Sequence, residues 1–189
     1  MFIIKNKYFL IIENIKDIDL KNIKIRNKFF IIYKNNKKVN ELDELLRFRL
    51  KCKSKSIKFY IANDMKLAKT LNSDGIYLSS FNKKLKFLSY KKKNFGVIGS
   101  AHNFKEIYCK IKQGCTSILL SKLFLVNYDK KSPFLGVVKF NSFSKISKKL
   151  IPLGGIKRQN LNNLNNISCD GFALLSEIKK KPAITNRLF

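Results

Sequence analysis

The sequence predicts a single (β/α)8 barrel over residues 1–189, and three observations carry that prediction. Short apolar pulses recur along the whole length, segments with helical spacing separate most of them, and the pulses are continuous rather than alternating with polar residues. A continuous apolar run marks a strand covered on both faces, as parallel strands wrapped by helices must be. Eight such units close naturally into a barrel. An open doubly wound sheet is the alternative, but it would require a glycine-rich first turn that this chain lacks.

In chain order the pulses are Tyr8–Ile12, Phe29–Tyr33, Ile57–Ile61, Gly75–Leu78, Phe95–Gly99, Ser117–Leu120, Ile151–Leu153 and Gly171–Leu175. Val39–Cys52 repeats leucine at helical intervals through Leu42, Leu45, Leu46 and Leu50, and Asn103–Gln113 does so with Phe104, Ile107, Tyr108 and Ile111. Each predicts a helix laid over the sheet. Glu13–Lys28 has little helical pattern, and the connection from Lys122 to Lys139 is long. The latter follows a strand and carries Lys130, Lys131 and Pro133, so it reads as a functional loop at the end where barrels keep their chemistry.

The apolar fraction of 45% and aromatic fraction of 12% exclude a disordered chain. A net charge of +28, from 40 Lys+Arg against 12 Asp+Glu, would ordinarily point to a polyanion partner. Here the excess is almost all lysine and is spread through every segment among Asn, Ile and Phe. Composition drift explains such a diffuse excess, whereas nucleic-acid recognition needs a patch with arginine and stacking aromatics. A basic nucleic-acid-binding protein is therefore kept only as the reading from a different class, with no specific nucleic acid and no membrane expected as partners. Cys52, Cys109, Cys115 and Cys169 form no C-x-x-C pair and read as reduced, mostly buried thiols. The N-terminal apolar run is interrupted by Lys5 and Lys7, and no run reaches membrane-spanning length, so the cytoplasm is the expected compartment. Whether two copies pair as a homodimer is left open.

Candidate chemistry gathers at the predicted strand ends. Gly154 and Gly155 follow the seventh strand and allow backbone N–H groups to approach an anion, while Leu175 and Ser176 end the eighth, where Ser176 would open a helix aimed at the same place. Together they predict a cradle for a small phosphorylated ligand. Asn63 and Asp64 follow the third strand; the Asn63 amide is a substrate-binding candidate that can bind a diphosphate oxygen, and Asp64 can hold Mg²⁺ or can cap the helix Met65–Leu71. Ser100-Ala101-His102-Asn103 contains the only histidine, read as structural because no second His or carboxylate motif accompanies it, and Asn103 is placed as a helix cap. Lys122, at the end of the sixth strand, is either an ordinary solvated lysine or one desolvated at the barrel rim.

The ordered set Ile61-Ala62-Asn63-Asp64, Asp74-Gly75-Ile76-Tyr77-Leu78, Ile98-Gly99-Ser100-Ala101-His102, Leu153-Gly154-Gly155-Ile156 and Asp170-Gly171-Phe172-Ala173 resembles the thiamine phosphate synthase/TenI family, from about Phe29 to Ile178. The resemblance implies a thiazole phosphate held at Gly154-Gly155 and Leu175-Ser176. In the synthases Mg²⁺ helps ionise hydroxymethylpyrimidine diphosphate, and the thiazole nitrogen traps the pyrimidine cation to give thiamine phosphate and pyrophosphate. The chain departs from the pattern at three places. The second-strand Gln, hydrophobic, Arg, any residue, Lys pattern reads Ile32-Tyr33-Lys34-Asn35-Asn36, leaving Lys34 and Asn36 as the substrate-binding candidates. The second metal carboxylate falls on Asn82, so the implied Mg²⁺ set is Asp64 and Asn82. The sixth-strand Gly-Pro-hydrophobic-Phe pattern reads Ser121-Lys122-Leu123-Phe124, with Lys130 or Lys131 in place of a family lysine that contacts the diphosphate. TenI-type tautomerases use an acid/base histidine whose position resembles Lys122, which with Ser100 makes the candidate catalytic residues. An inactive relative is the third option the resemblance allows.

Overall fold

The computed structural model describes residues 5–23, 25–35, 40–85, 95–126 and 133–175. Eight parallel strands follow the chain around a barrel: β1 (Lys7–Ile12), β2 (Phe29–Tyr33), β3 (Lys58–Ala62), β4 (Gly75–Leu78), β5 (Gly96–Ala101), β6 (Ser117–Leu120), β7 (Leu150–Pro152) and β8 (Gly171–Leu174). Sequence neighbours pair from β1 to β7, and β8 returns to pair with β1. A parallel bridge between Leu153 and Ala173 joins the end of β7 to β8. All eight pulses become strands, displaced by no more than two residues at either end.

Among the described residues four helices cover the barrel: α1 (Leu42–Ser54), α2 (Met65–Thr70), α3 (Phe104–Lys112) and α4 (Gly136–Ile146). The weak pattern after β1 becomes two 3-10 turns, Ile15–Asp17 and Leu20–Asn22. A longer 3-10 run, Arg158–Asn166, stands where a helix would join β7 to β8. Its sequence, rich in Asn, explains the tighter winding, because asparagine side chains compete for backbone groups and weaken α-helix. Among the described residues no helix is long and apolar enough to cross a membrane.

Strand alternation divides the core into two layers. Phe9, Ile11, Ile32, Tyr60, Tyr77, Ile98, Leu119, Ile151 and Ala173 fill the barrel interior. Tyr8, Leu10, Ile31, Phe59, Ile76, Ile118 and Phe172 face outward onto Leu45, Phe48, Ile107 and Phe140 of the helices. Both faces are dry, which is why the strands read as unbroken apolar runs. Tyr60 needs space across the barrel, and Gly75 and Gly96 supply it: a Cβ on Gly96 would lie 3.1 Å from Tyr60 Cε1. Burial pushes the Tyr60 hydroxyl well above the ordinary tyrosine range.

Asp74 locks the entry to β4. Its Oδ2 accepts from Phe59 N at 2.7 Å, and its Oδ1 accepts from Arg49 Nη2 at 3.1 Å. Arg49 also donates Nε to the Asn72 carbonyl at 3.2 Å, so α1, β3 and the α2–β4 turn meet at one carboxylate. Asp74→Ala leaves a largely buried guanidinium and a strand N–H without their acceptor. We expect a loss of about 2–3 kcal/mol, read as a fall in the thermal midpoint against wild type. The four cysteines are free; Cys52 and Cys115 are buried, and burial pushes each thiol up to about 12, consistent with inert packing. Cys109 and Cys169 are only partly covered.

Candidate functional site

A cavity of about 240 Å³ opens at the C-terminal ends of the strands. Its wall takes Lys34 just after β2, Tyr77 of β4 and Ser79 after it, Ser100 of β5 and His102 after it, Ser121 just after β6, Gly154 and Gly155 after β7, and Leu175 after β8. Inward-facing positions of six strands thus converge where each strand stops.

The two glycines are held in left-handed conformations, with φ of 92° at Gly154 and 69° at Gly155. Their loop is pressed on the segment after β6: Leu123 N donates to Leu153 O at 2.9 Å and Phe124 N to Gly154 O at 3.0 Å. A Cβ on Gly155 would strike the Phe124 carbonyl and lie 2.7 Å from Leu125 O. Among the described residues neither glycine N–H donates to a protein acceptor. Two adjacent amides facing a cavity without acceptors are suited to an anion. Ser176, the expected partner of this cradle, lies outside the described residues, as do Asn36, Lys130 and Lys131.

Lys34 is half-buried, with its ammonium 5.8 Å from the Tyr77 ring centroid. Burial lowers its pKa from the usual lysine value, and Glu13 partly opposes that shift. Burial raises the Tyr77 pKa, and the neighbouring Ser100 side chain partly opposes that shift. These contacts fix an aromatic face and a cation in one wall.

His102 is read from the sequence as a structural histidine that follows the fifth strand. It lines the cavity, and its Nδ1 lies 2.9 Å from Ser121 Oγ. Strand alternation explains the pairing, since Ser117, Leu119 and Ser121 share one face of β6 and its extension. Lys122, the candidate proton shuttle, is absent from the cavity wall. Its Cα instead lies 3.3 Å from where a Gly154 Cβ would stand. The period of two was the signal that could have selected Ser121.

Asn63 and Asp64 have structural work. Asn63, at φ 59°, accepts through Oδ1 from Ser79 N at 3.1 Å, Ser79 Oγ at 3.0 Å and Asn82 Nδ2 at 3.2 Å. Asp64 caps α2 by accepting from Leu67 N at 2.9 Å. Asp64→Ala is expected to cost about 1 kcal/mol, and Asp64→Ser, which can cap, to restore most of it in thermal unfolding.

The implied Mg²⁺ set was Asp64 with Asn82, and those residues do not fit a protein-held ion. Both Asn82 oxygens already accept N–H donors: Oδ1 from Lys84 N at 3.2 Å, and the carbonyl from Lys110 Nζ at 2.7 Å and Gln113 Nε2 at 2.8 Å. One Asp64 oxygen is committed to the cap. Among the described residues no group of three His, Cys, Asp or Glu side chains could hold a metal. A hard cation with an octahedral oxygen shell finds one spare carboxylate oxygen here.

Comparison with known proteins adds the family. Residues 3–178 match the model of the thiamine monophosphate synthase family. The chain is 26% identical over 153 residues to a thiamine-phosphate synthase of Flavobacterium johnsoniae, covering 74% of this chain and 71% of the relative. A thiamine-phosphate synthase of Prochlorococcus marinus is 28% identical over 144 residues, which span 74% of this chain and 40% of that longer protein. Among solved structures, thiamine phosphate pyrophosphorylase from Pyrococcus furiosus superposes with a TM-score of 0.76 at 14% identity, over 97% of this chain and 93% of its own. Phosphoribosyl anthranilate isomerase from Thermotoga maritima follows at 0.69 and 10% identity, over 96% of each chain, a likeness of barrel alone. With the barrel, the glycine loop and a family match across nearly its whole length, the chain belongs to the thiamine monophosphate synthase family.

Proposed function

We propose that the chain is a thiamine phosphate synthase, joining hydroxymethylpyrimidine diphosphate to thiazole phosphate. The observation that carries this reading is the pair of adjacent glycine amides, donating to no described acceptor, in a cavity that also holds Lys34. The amides at Gly154 and Gly155 bind the thiazole phosphate and fix the ring above Leu153 and Ala173. Lys34 binds the diphosphate, and its attraction grows as the C–O bond breaks and negative charge collects on the leaving group. The pyrimidine methylene carbon loses pyrophosphate and gains the thiazole nitrogen, so bonds and charge balance. Mg²⁺ is implied by the family, but the residues here give it no preformed site and no step is assigned to it.

The test supplies both substrates and Mg²⁺ to purified protein and follows thiamine phosphate by chromatography. Product formation that is lost in Lys34→Met supports the reading; no product from wild type overturns it. A second reading, a thiazole tautomerase, is favoured by the His102–Ser121 pair on the cavity wall. Imidazole there can accept and return a proton while Ser121 holds Nδ1. We expect His102→Asn to leave thiamine phosphate formation within about threefold of wild type, because the synthase reaction asks no proton transfer of imidazole. A loss beyond that, together with conversion of thiazole carboxylate phosphate by wild type, would shift the assignment to the tautomerase.

A further inference from the structure

We propose that Lys110 is the fixed cation of this site: a buried ammonium on α3 that holds the turn after β4 and makes anion binding at the barrel mouth independent of a divalent metal. The inference rests on the anion-binding reading of the cavity given above. Lys110 is fully buried, and its Nζ donates to Ser79 O at 2.7 Å, Asn82 O at 2.7 Å and Gln113 Oε1 at 2.9 Å. Three acceptors satisfy the three N–H bonds of an ammonium, so the geometry is that of the charged form. None of the three is a carboxylate. The ion pairs among the described residues, Lys7–Asp170 and Arg49–Asp74, involve other groups. Glu106, one turn earlier on α3, accepts instead from His102 N and Asn103 Nδ2.

The local sequence is built around this side chain. Gly99 on β5 lets its stem cross the strand, for a Cβ there would lie 2.8 Å from Lys110 Cδ. Gln113, also buried, donates to Asn82 O at 2.8 Å and Lys84 O at 2.9 Å, completing the grip on the turn. On its other side the turn is held by Asn63 Oδ1. Ser79, Ser80 and Phe81, between the two gripped carbonyls, form part of the cavity wall. The carbonyls that the ammonium grips thus belong to the turn that supplies this part of the cavity wall.

A buried charge without a carboxylate partner attracts an anion across low-dielectric surroundings more strongly than a surface lysine does. An anion in the cavity serves this ammonium as a counter-ion. The same placement works against a divalent ion, because the carbonyl oxygens nearest the implied metal position are occupied by N–H donors and lie beside a positive charge.

Calorimetric titration with inorganic pyrophosphate tests this. In chelator, wild type is expected to bind, Lys110→Met to bind about tenfold more weakly, and Gln113→Leu, which loosens the turn but keeps the charge, to lose less than about threefold. Lys110→Gln, which keeps hydrogen-bonding groups without the charge, is expected to match Lys110→Met and guards against a variant that fails to fold. Mg²⁺ is expected to change wild-type affinity by less than about threefold. Unchanged affinity in Lys110→Gln, or tightening of wild type by Mg²⁺ of more than about tenfold, overturns the proposal. Absence of pyrophosphate binding overturns it together with the anion reading. Intact, Lys110-dependent binding without thiamine phosphate formation would instead remove the synthase assignment and leave this inference standing.

Discussion

Gly155→Ala is expected to lower the thermal midpoint by about 6–12 °C and to abolish protection by thiazole phosphate. The magnitude follows from two costs. A left-handed φ of 69° strains any residue with a Cβ, by about 1 kcal/mol. The new methyl also meets backbone, the Phe124 carbonyl and Leu125 O, which cannot rotate away as a side-chain end would. Overpacking of that kind costs about 1–3 kcal/mol, for a total near 3. The loop can relieve the clash only by moving off the segment after β6, breaking the Phe124 N to Gly154 O bond and turning the two amides away from a common point. Scanning calorimetry with and without thiazole phosphate separates the outcomes: a stable variant that is still protected would mean that the amides do not hold the phosphate.

Lys34→Met is expected to reduce thiamine phosphate formation by about 10²–10³, with a smaller effect on thiazole phosphate binding. The methionine keeps the apolar contact with Tyr77 and removes the charge that stabilises the departing diphosphate. The pH dependence gives an independent check. Burial lowers the Lys34 pKa, so the cation is lost as pH rises through a value below 10.5, and diphosphate affinity should fall in that window. Lys34→Arg should keep its affinity there, because a guanidinium stays protonated. The sign for stability is opposite: in the same window the unfolded chain binds more protons at this residue than the folded one, so its contribution to stability rises with pH. A wild-type diphosphate KM that is flat up to pH 10.5 would exclude Lys34 as the diphosphate cation.

The cradle and the metal set were legible to different degrees, for a common reason. Gly154-Gly155 stood out in the sequence as a candidate cradle because two residues without side chains after a strand let backbone N–H groups approach a ligand. Asp64 did not, since a carboxylate after a strand serves equally as helix cap or as ligand, and it is the bond to Leu67 N that reveals the cap. His102 was set aside as a lone histidine, yet its partner is a serine supplied by the next strand, not a residue near it in sequence. Lys110 was invisible among 40 Lys+Arg; nothing in its neighbours marks it as buried.

By itself the sequence determined the barrel: continuous apolar pulses require strands buried on both faces, and that local period survives whatever the strands meet. It determined the helix cap at Asn103 for the same reason, since a cap bonds within its own turn. Only the tertiary structure decided which polar groups meet at the mouth. Ser121 reaches His102 across 19 positions, and Lys110 reaches the carbonyls of Ser79 and Asn82 across 31 and 28. Such contacts depend on the register between neighbouring strands and on which side chain can cross a glycine, and both are fixed only when the sheet closes.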